Sequence, residues 1–215
     1  MSSHIRSQTK LQNVNHQSND DIVHNDWAIK ANSLSCKPLD TSFKSEVFNN
    51  GKLRNHLIIA LCIHTALRIS DVLRLTTDDV YDFKNRCVRK NITITEKKTK
   101  KTKSIALNKS IVAILSACFP SAVPGAPLIR NRRTNKAIGR IQAYRIIRDA
   151  ARALGFAQPV SCHSLRKTFG YHSWKMGTAV AVIMDIFNHS SLKVTQRYLG
   201  VSQDDRDAAY LGLSF

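Results

Sequence analysis

The sequence predicts a mainly α-helical chain that carries one small antiparallel β-hairpin. Three observations lead there. NHLIIALCIHTALR (55–68) and IGRIQAYRIIRDAARALG (138–155) repeat apolar residues at helical spacing. Between them, a period-two alternation flanks a lysine-rich break, the pattern of two strands joined by a turn. The last third divides into short apolar-faced segments punctuated by Gly177 and Gly200, each a natural helix stop.

Each element follows in order. Residues 1–35 are rich in Asn, Ser, Gln and His and lack periodicity. They bury too little to offset their ordering entropy and are expected to form a flexible polar arm. One folded unit is expected over 36–215, with a C-terminal tail from about 201. In the first helix Leu57, Leu61, His64 and Arg68 fall on one line, and Ser70 suits the N-cap of a helix DVLRL ending near Thr76–Asp79. Val88, Ile92 and Ile94 alternate, then Ile105 and Leu107, around a turn region 96–103 that is almost entirely cationic. A helix SIVAILSACF runs into the loop PSAVPGAP. In the helix of 138–155, Ile141, Tyr144, Ile147, Ala151 and Leu154 share a face, with Gly155 as the stop. Three short helices remain: CHSLRKTFGYHSWKMG ending at Gly177, TAVAVIMDIFN starting from a Thr178 cap, and SLKVTQRYLG ending at Gly200.

Composition narrows the function. The 215 residues hold 33 Lys+Arg against 15 Asp+Glu, a formal charge of +18, and such a surface attracts polyanions, nucleic acid first among them. Cys36, Cys62, Cys87, Cys118 and Cys162 form no C-x-x-C pair and no cluster with histidine at ligand spacing. Four of them lie in or beside apolar stretches, where a thiol packs as a small hydrophobe. This usage points to a reducing cytosol, with neither a disulfide framework nor a zinc site. The N-terminus has no apolar signal core, and the longest apolar run, LIIALCI at 57–63, is far too short to span a bilayer. A soluble, cytoplasmic protein with no membrane partner is expected.

Which side chains suit polyanion chemistry? Attack on a phosphodiester builds negative charge on a five-coordinate phosphorus, so fixed cations and hydrogen-bond donors must face its oxygens. Arginine supplies two parallel donors and keeps its charge. A nucleophile and a proton donor for the departing alkoxide complete the set, and no metal is needed if the protein brings the cations. The candidates are Arg68 in ALRIS, the hairpin lysines, His163 and Arg166 in HSLR, His189 and Tyr198. His163 and Arg166, three apart, point the same way from a helix. Singly these are ordinary: a tyrosine on a short helix is usually packing, HxxR is usually a solvated face, and a basic hairpin suggests only general affinity for nucleic acid.

Their order is specific. ALRISDVLRL, a strand-borne KKT, HSLRKTFGYH and FNHSSLKVTQRYLG resemble, in that sequence, the tyrosine recombinase (phage integrase) family, over about residues 36–212. The resemblance implies the catalytic-domain fold of these DNA breaking-rejoining enzymes and assigns roles. Tyr198 would attack the scissile phosphate to give a 3′-phosphotyrosyl link and a free 5′-hydroxyl. Arg68 and Arg166 would clamp the non-bridging oxygens, His163 would serve as general acid/base toward the nucleophile, and His189 would donate to the phosphate. Lys98, before Thr99, fits the family's general-acid lysine best, with Lys97 and Lys100 as alternatives because the tip EKKTKKTK lacks the usual glycine. Asp71, three after Arg68, matches an acid that orients a basic group, although the first turn of a helix is an equally ordinary place for an aspartate. Tyr144, Tyr171 and Tyr210 do not follow a histidine at the family spacing, and His172 and Trp174 suit packing first and DNA-backbone contact second.

The implied partners are double-stranded DNA, sister protomers in a tetramer joined by exchange of the C-terminal tail, and an accessory DNA-bending or directionality protein. No cofactor is implied. Most relatives carry a separate DNA-gripping domain before the catalytic one, and residues 1–35 are too few and too polar for it. Two alternatives stand beside recombination for a mobile element or DNA inversion: a type IB topoisomerase-like enzyme, and a catalytically silent DNA-binding regulator.

Overall fold

The computed structural model describes residues 52–153, 156, 159–201 and 203–212. The expected N-terminal arm, Leu154, Gly155 and Leu213 lie outside the described residues. Helix α1 (Lys52–Thr65) runs through the middle of the main core. Leu57, Ile58, Ala60, Leu61 and Cys62 are all buried, so this helix is apolar nearly all round, as a core helix must be. It packs against α4 (Lys109–Cys118), α5 (Arg140–Ala153) and α6 (Cys162–Lys175).

The line expected through Arg68 is broken before it arrives there. Thr65 Oγ1 donates back to the Leu61 carbonyl at 2.6 Å, and Ala66 turns into the left-handed region at φ 54°. Arg68 is therefore extended and sits at the N-cap position of α2 (Ile69–Val72), which corrects the expectation that Ser70 caps the next helix. That helix also stops earlier than expected. Thr76 caps a separate turn, α3 (Thr77–Val80), in a reciprocal capping box with Asp79.

Two two-stranded antiparallel sheets follow in place of one hairpin. Strands β1 (Tyr81–Asp82) and β2 (Cys87–Val88) pair first, so Val88 belongs outside the basic hairpin. The basic hairpin itself is β3 (Asn91–Thr95) and β4 (Thr102–Ala106), with Ile92 opposite Ile105. Ile92 is buried beneath it, and the alternation expected at period two is seen at Ile92, Ile94 and Ile105.

On α5 the buried face is Ala143, Ile147 and Ala151. Ile141 and Tyr144, expected in the core, are 71% and 41% exposed. The small Ala143 takes the core position one turn before Ile147, and this leaves the two larger side chains outside among Arg140, Arg145 and Arg152. Of the described cysteines, Cys62 is buried, Cys118 and Cys162 are half-buried and Cys87 is exposed.

The C-terminal third forms a satellite cluster. Helix α7 (Val180–Phe187) begins after Ala179, not from a Thr178 side-chain cap, and α8 (Leu192–Leu199) ends on Gly200 at φ 65°. Ile183, Phe187, Leu199 and Ala66 are buried together, with Phe169, Trp174 and Tyr198 packed against them. Trp174 and His172 are thus packing residues, each ring edge-on to Tyr171. Burying a phenylalanine such as Phe187 contributes about 1.5–3 kcal/mol. The expected tail carries helix α9 (Gln203–Leu211). None of the described helices is long and apolar enough to cross a membrane.

Candidate active site

The candidate site forms where the satellite cluster meets the main core. Arg166 lies on the second turn of α6, whose start is set by Ser161 in a capping box with Ser164. Only 2% of Arg166 is exposed. Its NH2 donates to the Phe187 carbonyl at 2.7 Å, its NH1 donates to the Ala66 carbonyl, and its guanidinium stacks on the Phe187 ring 4.6 Å from the centroid. The left-handed turn at Ala66 gives that carbonyl its place in the site. Such a conformation costs an L-residue about 1–2 kcal/mol.

Arg68 converges on the same carbonyl. Its NH2 donates to Phe187 O at 3.3 Å and its NH1 pairs with Glu96 Oε2 at 2.7 Å. Burial, then the charge of Arg68, lower the pKa of Arg166 to about 10, so it stays cationic at neutral pH. Two guanidiniums thus point into one place from well-separated parts of the chain.

Above them sits the nucleophile candidate. The Tyr198 ring meets the His189 ring edge-on at 4.7 Å, and both rest on Phe187, at 5.5 and 5.1 Å. His189 Nδ1 shares a hydrogen bond with Thr195 Oγ1 at 3.1 Å. Burial, then Arg166 and Arg68, lower the His189 pKa to about 4, so the ring is neutral at physiological pH. His163 lies on the exposed side of the first turn of α6. Partial burial and then the charges of Arg166, Arg68, Lys167 and Arg140 push its pKa down as well, which keeps a nitrogen free to take a proton.

The hairpin brings an unexpected pair. Glu96, at the base of the turn, is fully buried, and Lys103 Nζ pairs with its Oε1 at 2.8 Å while also donating to Ile186 O at 3.1 Å. Lys98 is exposed at the tip, as are Lys97 and Lys100. The missing glycine is replaced by Lys100 itself, which takes φ 60° in the turn. Buried Asp71 accepts from the Lys97 backbone N–H at 2.9 Å, so it braces the hairpin and, among the described residues, bonds to no basic side chain. Tyr171 is buried against Trp174, and Tyr144 and Tyr210 are exposed on other helices.

The structure therefore gathers Arg68, Arg166, His189 and Tyr198 around Phe187, with His163 in the field of both arginines, and leaves Lys98 outside. Glu96, Lys103, Asn188, Thr195 and the Phe187 carbonyl were missed from sequence. One signal was available: Glu96 is the only acid between Asp82 and Asp149.

This arrangement of helices around a basic hairpin is the fold of tyrosine recombinase catalytic domains. The crystal structure of XerA recombinase superimposes with a TM-score of 0.63 at 18% identity, covering 99% of this chain and 65% of that one. XerH site-specific recombinase bound to palindromic difH gives 0.64 at 17% identity, covering 87% and 50%. The phage integrase family model matches residues 40–204, and the chain belongs to that family, whose members include the tyrosine site-specific recombinases. The probable integrase/recombinase YoeC of Bacillus subtilis (strain 168) is 38% identical over 167 residues, 78% of this chain and 88% of YoeC. Tyrosine recombinase XerD of Mycobacterium tuberculosis (strain ATCC 25618 / H37Rv) is 31% identical, covering 68% of this chain and 47% of XerD. Tyrosine recombinase XerA of Pyrococcus furiosus is 26% identical, covering 73% and 54%. The chain thus spans about half the length of the XerD and XerA relatives and most of YoeC.

Proposed function

We propose that this chain cuts and rejoins DNA at specific sites through a 3′-phosphotyrosyl intermediate on Tyr198, in the service of a mobile element or a DNA inversion. The observation that carries the reading is the convergence of Arg68 and Arg166 on the Phe187 carbonyl beneath the His189–Tyr198 pair. Tyr198 Oη attacks phosphorus, its proton passes to His163, and the bond from phosphorus to the 5′-oxygen breaks. The two guanidiniums hold the non-bridging oxygens as charge builds, the kind of pre-set donor that stabilises a transition state most. His189, whose Nδ1 shares a hydrogen bond with Thr195 Oγ1, donates to the phosphate in the tautomer that carries its proton on Nε2. Lys98 at the hairpin tip protonates the departing 5′-oxygen, since Lys103 is already held by Glu96 and Ile186. Rejoining reverses each step, with energy conserved in the phosphotyrosyl bond and no cofactor consumed.

Duplex DNA is the proposed partner, met by the basic hairpin and by the exposed face of α5, where Ile141 and Tyr144 stand among Arg140 and Arg145. XerH among the structural relatives is solved on its difH site. Helix α9 leaves Tyr210 and Leu211 78% and 86% exposed, which suits docking on a sister protomer in a tetramer. An accessory DNA-bending or directionality protein completes the assembly in the cytoplasm.

The test is a nicked suicide duplex built from inverted repeats in the DNA flanking the gene. The wild-type chain is expected to form a denaturation-resistant adduct that Tyr198→Phe abolishes. Tight binding of wild-type protein without an adduct would instead establish a silent regulator, and relaxation of any supercoiled plasmid a topoisomerase.

A further inference from the structure

Glu96 has no part in the chemistry above, yet it is the most densely bonded side chain of the site. Its carboxylate is fully buried. Oε2 accepts from Arg68 NH1 at 2.7 Å, Thr99 Oγ1 at 2.7 Å and Asn188 Nδ2 at 2.9 Å, and Oε1 pairs with Lys103 Nζ at 2.8 Å. These donors come from four places in the chain: the turn before α2, the hairpin tip, strand β4, and the residue after α7. Asn188 reaches inward because it closes α7 in the left-handed conformation, φ 51°. The Glu96 backbone closes the turn as well, donating to Lys101 O and accepting from Lys100 N–H, both at 3.0 Å.

Stability alone is a weak reason for such a residue. A buried ion cluster gains little over apolar packing of similar volume, because both charges must first leave water. What it does supply is geometry. Arg68 has five N–H donors in one plane. Glu96 and the Phe187 carbonyl engage one nitrogen each, which fixes the plane and the direction of the remaining donors. Without access to solvent, Glu96 cannot touch DNA, so any effect on the reaction passes through the groups that it holds.

We propose that Glu96 is a positioning residue of the cleavage reaction: its carboxylate sets Arg68 for the scissile phosphate and, through Thr99, ties that arginine to the turn that carries Lys98. This rests on the recombinase reading of the same site. The Arg68 contact is direct and dominates, whereas the link to Lys98 runs through a neighbouring residue. Glu96 also supplies negative charge between the cations Arg68 and Lys103, which offsets their mutual repulsion.

The experiment measures single-turnover adduct formation on the nicked duplex at saturating protein, alongside DNA affinity and thermal melting. Glu96→Gln keeps the shape and removes the charge. Its cleavage rate is expected to fall about 10²-fold, the cost of a small misplacement of a reacting group, with the dissociation constant within about threefold of wild type. Glu96→Asp is expected to recover part of the rate. A second substrate carries sulfur in place of the bridging 5′-oxygen, a leaving group that departs without an acid. Lys98→Ala should recover on that substrate and Glu96→Gln should stay slow, since its defect lies at Arg68. Cleavage by Glu96→Gln within twofold of wild type overturns the proposal, as does its full recovery on the sulfur substrate. Parallel loss of melting transition and DNA affinity in both Glu96 variants makes the role structural and also overturns it. If the wild-type chain forms no adduct, the recombinase reading falls and this proposal with it; an active wild type beside an unaffected Glu96→Gln removes this proposal alone.

Discussion

The two arginines and the tip of the hairpin are built in opposite ways. Arg166 is almost wholly enclosed and held by two backbone carbonyls and an aromatic face, and Arg68 shares one of those carbonyls and a buried carboxylate. Lys97, Lys98 and Lys100 stand exposed on a turn whose geometry depends on a lysine at φ 60°. A phosphate clamp must be in place before charge develops, since donors that reorganise during the reaction lose most of their advantage. A proton donor is needed only as the leaving group departs, so an exposed side chain on the turn can serve. The contrast is one of enclosure: the proposed phosphate clamp is largely buried and bonded, and the lysines proposed to deliver a proton stand in solvent.

That contrast has a direct kinetic consequence. Arg166→Lys keeps the charge but cannot bridge Ala66 O and Phe187 O with one planar group, and adduct formation should fall by about 10²–10³-fold, accompanied by a lower melting temperature. Lys98→Ala should cost about 10²-fold, the low end for a general acid, and leave melting unchanged because the side chain is exposed. Equal melting of the two variants would erase the distinction between seat and tip. Loss of activity in Lys97→Ala or Lys100→Ala, with Lys98→Ala active, would move the acid to that neighbour.

Much of this was legible in the chain. The helical spacing of 55–68, the glycine stops at 177 and 200, and the order Arg68, HSLR, His189, Tyr198 pointed to the fold and to most of the site. What stayed hidden shares a physical origin. The Phe187 and Ala66 carbonyls are backbone groups, which no residue type announces. Glu96 sits in a run that reads as uniformly cationic, and its burial depends on long-range contacts with Arg68 and Asn188. On α5, periodicity favoured the bulky Ile141 and Tyr144, whereas the core takes Ala143 because α5 packs against α1, α2 and α6. Helical spacing identifies a stripe, but when alanines and large residues alternate, two stripes fit equally well and tertiary packing chooses.

A third prediction concerns the floor on which both regions rest. Gly170 on α6 faces Phe187, and a Cβ there would meet Phe187 Cζ at 2.7 Å, Cε2 at 2.8 Å and Leu199 Cδ2 at 3.3 Å. Gly170→Ala overpacks the satellite cluster at a cost of about 1–3 kcal/mol, offset by about 1 kcal/mol of helix propensity. The net loss, of order 1 kcal/mol, should lower melting by about 2–4 °C for a chain of this size. Cleavage should fall further than this implies, because the same displacement moves the carbonyl shared by Arg68 and Arg166. Unchanged cleavage beside lowered melting would show that the Phe187 carbonyl tolerates movement, and that the clamp is looser than its burial suggests.

The smallest effect should appear in the acid limb of stability. His189 has a pKa lowered from 6.5 to about 4 by burial and then by Arg166 and Arg68, so the folded protein resists a proton that the unfolded chain accepts. No penalty exists above pH 6.5, where both states hold neutral imidazole. Between 6.5 and 4 the unfolded state binds more protons, so stability falls as pH falls across that window. His163, His172, His56 and His64 are lowered in the same direction and add to the slope. Glu96, whose burial is outweighed by bonds from Lys103, Thr99 and Asn188, is held at about 2 and remains ionised throughout. Melting measured from pH 8 to 4 should therefore decline less steeply in His189→Gln than in wild type, with the two curves parallel above pH 7. Bound DNA should flatten the wild-type curve as well, since a phosphate beside His189 favours the charged ring and cancels part of the repulsion from the arginines. Parallel curves down to pH 4 would mean that His189 takes up its proton freely, and that the two guanidiniums do not press on it as their positions require.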